Sequence, residues 1–152
     1  MQKPFDFLII KKSLFVCTSL KSMCTITIPL ILLIDNSLDF AYLIDRYGAK
    51  SGCRIDHATT IEGALAKIKH NPPEALLLNL MLPSNSGWQL LQLAKCDESL
   101  KRIPIIGFSS IRDEARARVE GADYCLWKPI MYDDFLSALE AVGVKRPVAP
   151  DR

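Results

Sequence analysis

The chain has 152 residues, of which 49% are apolar and 24% are charged, a balance that excludes a disordered or fibrous protein. Its 19 basic and 17 acidic residues leave a formal net charge of +2, which is too close to neutral to indicate a nucleic-acid or membrane partner. No apolar run approaches the roughly 18 residues of a membrane helix. The length predicts a single domain.

The cysteines bear on metal binding and on the cellular compartment. They are odd in number, show no C-x-x-C spacing and stand at Cys17, Cys24, Cys53, Cys96 and Cys125. Neither a zinc site nor a closed set of disulfides is indicated, and scattered cysteines usually fill core positions in a reducing compartment. The apolar run at residues 7–10 is broken by Lys11 and Lys12, unlike the core of a signal peptide. We therefore predict a cytoplasmic protein.

The two ends of the chain differ from its centre. Residues 1–27 mix apolar and basic side chains without a period, and Met23 is an alternative start. We interpret this segment as an N-terminal extension that is either flexible or misannotated. Residues 144–152 contain two prolines and no apolar period, which predicts a disordered tail. The folded domain is predicted at residues 28–143.

Within that domain, apolar runs alternate with amphipathic segments. The runs that predict strands lie at residues 30–34, 54–58, 75–80, 104–108 and 124–127. The segments that predict helices lie at residues 38–50, 61–70, 88–95, before residue 120 and at 135–142. Ser37 and Thr60 are predicted N-caps, Gly52 is a predicted helix stop, and residues 83–87 are a predicted loop. The fourth helix carries Arg112, Arg116 and Arg118, by default a solvated face and alternatively a docking patch for an acidic partner.

Buried strands joined by helices indicate a parallel sheet with right-handed crossovers. We therefore predict an α/β fold: a doubly wound, five-stranded parallel sheet in a three-layer α/β/α sandwich. Polar residues follow four of the five strands, namely Asp35 and Asn36, Asn79, Ser109 and Ser110, and Lys128. Since a ligand crevice in such folds lies at the carboxyl ends of the strands, we expect these side chains to meet there.

These pieces, in this order, resemble the receiver domains of two-component response regulators, which have a flavodoxin-like fold. The matching pieces are residues 31–36, 77–83 with Gly87, 104–110, 121–123, and Lys128 with Pro129. The resemblance covers about residues 28–143. It implies a cytoplasmic signalling module of a phosphorelay that is not itself an enzyme.

The resemblance also assigns the strand-end residues. A receiver takes a phosphoryl group onto an aspartate at the end of the third strand, and Asn79 stands at that position here. An amide cannot form the acyl phosphate. The family's acidic pair, which holds Mg²⁺, is reduced to Asp35 and Asn36, so we expect Mg²⁺ binding to be weak or lost and predict no cofactor.

At the remaining site positions, this sequence matches the receiver family in part. Ser109 matches the hydroxyl that follows the phosphoryl group, and Lys128 matches the lysine that contacts it. Cys125 stands where a switch aromatic is usual. We expect an Asp35–Lys128 ion pair, with hydrogen bonds to Asn36 and Asn79, to close the crevice without metal. The plainer alternatives are that Asn79 caps a turn, Asp35 caps a helix and Lys128 is a surface charge.

We therefore predict a degenerate, pseudo-receiver type of module that acts by protein–protein contact. Its candidate partners are a histidine kinase, an output protein or a second copy of the chain, through the fourth helix, fifth strand and last helix. Because the sequence ends at Arg152, we expect a stand-alone module without a DNA-binding effector. One alternative is phosphorylation after deamidation of Asn79 or at another residue. Another is a flavodoxin-like ligand-binding domain or enzyme, which the glycine-free segment 35–39 disfavours.

Overall fold

The computed structural model describes residues 27–147. The predictions for residues 1–26 and 148–152 lie outside this range. A five-stranded sheet forms the centre, with β1 (Leu30–Ile34), β2 (Arg54–Ala58), β3 (Ala75–Asn79), β4 (Ile105–Ser109) and β5 (Tyr124–Trp127). All neighbouring strands are parallel, in the order β2-β1-β3-β4-β5. This is the flavodoxin-like order, and it confirms the predicted fold class.

Five helices connect and follow the strands: α1 (Leu38–Ser51), α2 (Ile61–His70), α3 (Ser86–Cys96), α4 (Glu114–Glu120) and α5 (Tyr132–Ala141). The predicted caps are confirmed, because the Ser37 hydroxyl accepts a hydrogen bond from the Phe40 amide and the Thr60 hydroxyl accepts one from the Gly63 amide. Gly52 ends α1 in the left-handed region at φ 76°, as expected for a helix-terminating glycine. Within residues 27–147, no helix combines the length and the apolar character needed to cross a bilayer.

The core lies in two layers, one on each face of the sheet. Leu32 and Ile34 face a cluster to which α2, α3 and α4 contribute, whereas Ile31 and Leu33 face a cluster completed by α1 and α5. All residues of β1, β3 and β4 are buried. Burial on both faces explains the unbroken apolar runs of these strands, and it places their carboxyl ends at the centre of one edge.

The connection after β3 differs from the predicted loop at 83–87. Pro83–Asn85 forms a single 3₁₀ turn, and α3 begins at Ser86. A side chain at Gly87 would place its Cβ 2.3 Å from the Asn79 carbonyl oxygen, so the first turn of α3 packs directly on the end of β3. A one-turn helix (Glu98–Lys101), capped by Asp97 and not predicted, follows α3.

The disordered tail was predicted to begin at residue 144, which is too early in the sequence. Val144 is buried in the core, and its amide donates to the Leu139 carbonyl oxygen at 2.9 Å. The Arg146 guanidinium bonds to Glu140 Oε1 at 3.0 Å. Val144 and Arg146 therefore pack against α5 instead of belonging to a disordered tail, because Val144 supplies an apolar anchor that periodicity alone does not reveal.

Candidate functional site

The two central strands bring Asp35 and Asn79 together at the carboxyl edge of the sheet. The last register pair between β1 and β3 is Ile34 with Leu78, so the next residue of each strand follows at the same level. Asp35 is 6% exposed and Asn79 is 8% exposed. A buried carboxylate requires hydrogen bonds or a counter-charge, and the neighbouring amide supplies the first of these.

Hydrogen bonds fix the side chain of Asn79 in one orientation. Asn79 Nδ2 donates to Asp35 Oδ1 at 2.8 Å, and the Met81 amide donates to Asn79 Oδ1 at 2.8 Å. A rotated amide would set its oxygen against the carboxylate and its NH₂ group against the Met81 N–H, so only this orientation satisfies both neighbours. The amide nitrogen of Asn79 is therefore committed to Asp35.

Only one of the two oxygens of the Asp35 carboxylate accepts hydrogen bonds among residues 27–147. Its Oδ1 also accepts from the backbone amide of Asn36 at 2.8 Å. Its Oδ2 is buried and makes no hydrogen bond with any of residues 27–147. An unpaired buried acceptor costs about 1–3 kcal/mol, so packing and the bonds to Oδ1 must hold the carboxylate in place.

The predicted Asp35–Lys128 ion pair is wrong. Lys128 is exposed, and its Nζ lies 4.6 Å from the ring centroid of Phe40 and 5.3 Å from that of Phe108. These rings attract the ammonium while one side of it stays in water, whereas pairing with a buried carboxylate would require desolvation of both ions. The Asn36 side chain is exposed, so the bond predicted from it is made by its backbone amide instead.

Ser109 closes the neighbouring side of the crevice at the end of β4. It is 2% exposed, and its Oγ accepts from the Ile111 amide at 3.0 Å. The hydroxyl thus organises the start of the β4–α4 connection, a role that the polar strand-end pattern alone does not specify.

Cys125 lies away from this crevice, on β5. Its side chain packs against the core beneath α2, α3 and α4, and burial, assisted by the Glu114 carboxylate, raises the pKa of the thiol. A neutral thiol is a poor nucleophile and a poor metal ligand. Cys125 lines a groove of about 440 Å³ between α4, β5 and α5, together with Arg112, Arg118, Trp127 and Lys128.

Two features were not predicted from the sequence. One is the aromatic pair Phe40 and Phe108 under Lys128, with ring centroids 4.6 Å apart. The other is the Arg116 guanidinium, whose central carbon lies 4.0 Å from the centroid of the Trp88 ring. In the sequence these aromatic residues mark core positions, and their polar contacts depend on tertiary packing. Within residues 27–147, no cluster of three or more histidine, cysteine or acidic side chains could hold a metal ion.

Comparison with known proteins identifies the family. Residues 31–140 match the response regulator receiver domain model. The chain is 33% identical over 116 residues to Protein PilG of Pseudomonas aeruginosa, covering 73% of this chain and 84% of PilG. It is 29% identical over 110 residues to the polar-differentiation response regulator DivK of Brucella ovis, covering 70% of this chain and 89% of DivK.

A solved structure shares the fold. The crystal structure of a putative response regulator from Chloroflexus aurantiacus superposes with a TM-score of 0.71 at 22% identity, covering 76% of this chain and 98% of that one. The match to the family model spans more than two thirds of the 152 residues. The chain therefore belongs to the response regulator receiver domain family, the signalling modules of two-component systems.

Proposed function

We propose that this receiver is not phosphorylated at the end of β3 and that it signals by protein–protein contact. The observation that carries the proposal is Asn79, which stands where the family has its acceptor aspartate. Its amide nitrogen donates to Asp35 Oδ1 and its amide oxygen accepts from Met81. Neither atom is a nucleophile comparable to a carboxylate, so the crevice lacks the group that would form an acyl phosphate.

The residues of the crevice also do not fit the divalent metal of the family. Mg²⁺ is bound by charged oxygens in near-octahedral geometry and gives up its water reluctantly. Of the strand-end residues, only Asp35 has a carboxylate; its Oδ1 already accepts two hydrogen bonds, which leaves Oδ2 as its one unpaired oxygen among residues 27–147. Asn79 turns its NH₂ group, rather than its oxygen, toward that carboxylate. The proposed function therefore requires no metal ion.

The hydrogen bonds around Asn79 argue against the deamidation alternative. Deamidation proceeds by attack of the following backbone nitrogen on the side-chain carbonyl carbon, so the Leu80 nitrogen would have to lose its proton and turn. That amide donates to the Phe108 carbonyl oxygen at 2.9 Å across the β3–β4 ladder. Both polar atoms of the Asn79 side chain are also engaged. Conversion to aspartate would require local opening of the sheet.

We assign the contact surface to the groove between α4, β5 and α5. Arg112, Arg118 and Lys128 line it together with Trp127 and Cys125. Tryptophan and arginine are the residues that contribute most to binding at protein interfaces. Acidic side chains are present as well, since Glu114 pairs with Arg118 and Asp134 lines the same groove. The groove therefore suits a partner with mixed polarity that includes acidic side chains, and the protein acts there without covalent chemistry.

The phosphorylation claim is tested by incubating the wild-type protein with acetyl phosphate and Mg²⁺ and measuring its intact mass. We expect no phosphoryl adduct on the wild type and an adduct on Asn79→Asp, the matched variant that restores the acceptor. An adduct on the wild type that is lost in Asn79→Gln would contradict the proposal, because its loss would place the phosphoryl group at the end of β3. An adduct that persists in Asn79→Gln would lie on another residue and would contradict signalling by contact alone.

The contact surface is tested by co-purification from native cells. We expect Arg112→Glu to deplete the bound partner and Lys69→Glu, an exposed charge reversal on α2, to leave it bound. If the partner is a second copy of the chain, light scattering should show a dimer that Arg112→Glu dissociates. Equal recovery of the partner with both variants would contradict the assignment of the contact surface to this groove.

A further inference from the structure

A second cavity, of about 330 Å³, lies beside the crevice, between the β3–α3 connection and α4. This volume falls within the range of small-molecule sites in proteins. The residues that matter for its chemistry are Met81, Trp88, Ser109, Ile111, Asp113 and Arg116. They come from the end of β4, two loops and two helices, so a ligand held there would contact several elements at once.

One part of the cavity is apolar and open to solvent. Met81 is 49% exposed and Ile111 is 58% exposed, although both are large apolar side chains. Trp88, 7% exposed, also lines the cavity and belongs to the core. An apolar ring entering here would remove the Met81 and Ile111 side chains from water, which is favourable in proportion to the area covered.

The other part of the cavity can bind an anion. The Arg116 guanidinium lies against the Trp88 ring at 4.0 Å and takes part in no salt bridge among residues 27–147. Ser109 is buried, and within the same residues its hydroxyl acts only as an acceptor, from Ile111. Its proton is therefore available to an incoming oxygen, and a charged donor beside it makes the stronger type of hydrogen bond.

Asp113 limits the negative charge that a ligand in the cavity can carry. Its Oδ1 accepts from the backbone amide of Arg116 at 3.2 Å, which holds the carboxylate at the start of α4. Asp113 and Arg116 together carry no formal net charge. A ligand with one negative charge can bind to the Arg116 guanidinium, whereas a second negative charge on the ligand would lie near Asp113 and be repelled.

We propose that this cavity binds a small aromatic monocarboxylate, with its ring against Met81, Ile111 and Trp88 and its carboxylate on Arg116 and Ser109. The bound ligand would contact the loop whose Met81 amide bonds to Asn79 and the loop whose Ile111 amide bonds to Ser109. It would thereby act on both sides of the crevice without a phosphoryl group. The role of such a ligand as an input signal rests on the proposed function, whereas the binding itself does not.

Binding is tested on the full-length protein by NMR titration of its tryptophan indole N–H signals with phenylacetate. The chain has two tryptophans, and the Trp127→Phe variant identifies the Trp88 signal. We expect a saturable shift of the Trp88 signal with phenylacetate and at least about tenfold weaker binding of phenylacetamide, because the charged hydrogen bond is lost. Inorganic phosphate alone should neither shift this signal nor compete.

Two variants on α4 separate specific from nonspecific binding. Arg116→Gln should weaken phenylacetate binding about tenfold. Arg118→Gln, which removes an arginine already paired with Glu114, should change the affinity less than about twofold. The proposal is overturned by the absence of saturable binding, by equal affinity for acid and amide, by competition from phosphate, or by equal effects of the two variants. Phosphorylation of the wild type by acetyl phosphate would refute the proposed function and leave this binding result standing.

Discussion

At the scale of single residues, Asn79 replaces a counter-charge with a hydrogen bond. Asp35 is 6% exposed, and its Oδ1 is supported by the Asn79 amide and the Asn36 backbone. In a crevice with further carboxylates, a cation would have to offset their repulsion. Here the Asn79 amide donates to Asp35 Oδ1, while Oδ2 stays unpaired among residues 27–147, so the crevice has one unsatisfied oxygen but no repulsion between carboxylates.

Replacing Asn79 with aspartate should therefore destabilise the protein. In Asn79→Asp, two carboxylates would lie where a 2.8 Å hydrogen bond now joins Asn79 to Asp35. We expect a loss of about 1–3 kcal/mol in the free energy of unfolding at pH 7 without Mg²⁺, measured by urea denaturation. Equal stability of variant and wild type at pH 7 would contradict this account of the crevice.

Lys128 provides the complementary test. Its ammonium is exposed above the rings of Phe40 and Phe108, so Lys128→Met should change the free energy of unfolding by less than about 1 kcal/mol. Removal of one partner from a buried ion pair would cost about 3–5 kcal/mol instead. Urea denaturation distinguishes these values, and a loss in the higher range would support an Asp35–Lys128 pair in solution.

At the scale of elements, local signals account for most helix ends. Ser37, Thr60 and Gly52 act as the sequence predicted, because an N-cap hydroxyl and a left-handed glycine are local devices. The start of α3 was predicted two residues late. Ser84 and Asn85 adopt positive φ angles of 60° and 59°, and the close approach of Gly87 to β3 is a tertiary contact that no local pattern records.

The contact at Gly87 predicts an asymmetry between two glycine substitutions. Gly87→Ala would set a Cβ 2.3 Å from the Asn79 carbonyl oxygen and 2.9 Å from Leu80 Cα, and backbone atoms cannot move aside easily. We expect a loss of about 2 kcal/mol in the free energy of unfolding. Gly63→Ala in α2 meets only the Thr60 hydroxyl, at 3.1 Å, and should be neutral or stabilising by about 0.5 kcal/mol. Thermal unfolding of both variants checks this order, and a neutral Gly87→Ala would contradict the packing of α3 on β3.

The contact between β2 and α2 should depend on pH. Asp56 Oδ1 accepts from Lys67 Nζ at 2.6 Å, and this hydrogen bond is the main cause that lowers the pKa of Asp56 below 3.8. A lowered pKa means that the pair contributes stability above pH 3.8 and loses it as the pH falls through the folded-state pKa. Because both side chains are partly exposed, Asp56→Asn should cost only about 0.2–1 kcal/mol at pH 7. Urea denaturation should show this difference disappear in acid, and a difference that persists there would have another cause.

At the scale of the whole molecule, the fold could be predicted from the sequence, but the side-chain contacts within the site could not. The unbroken apolar runs of β1, β3 and β4 follow from burial on both faces of a parallel sheet, so periodicity indicated the layers correctly. The strand-end pattern likewise brought Asp35, Asn79 and Ser109 to one edge. Which side chains bond to each other at this edge depends on their direction and their access to solvent, and the sequence specifies neither. For this reason the predicted ion pair between Lys128 and Asp35 was wrong.

The crevice carries little charge for a cation site. Of the strand-end residues Asp35, Asn36, Asn79 and Ser109, only Asp35 is charged, and the Lys128 ammonium lies over the Phe40 and Phe108 rings instead of pairing with it. We infer that a single carboxylate attracts Mg²⁺ weakly, since a divalent cation is attracted to a site chiefly by its charged oxygens.

Calorimetric titration with Mg²⁺ tests this claim most directly. We expect no saturable binding to the wild-type protein and saturable binding to the Asn36→Asp/Asn79→Asp variant, which adds two carboxylates beside Asp35 at the edge of the sheet. Binding of Mg²⁺ to the wild type as tightly as to the double variant would contradict the account.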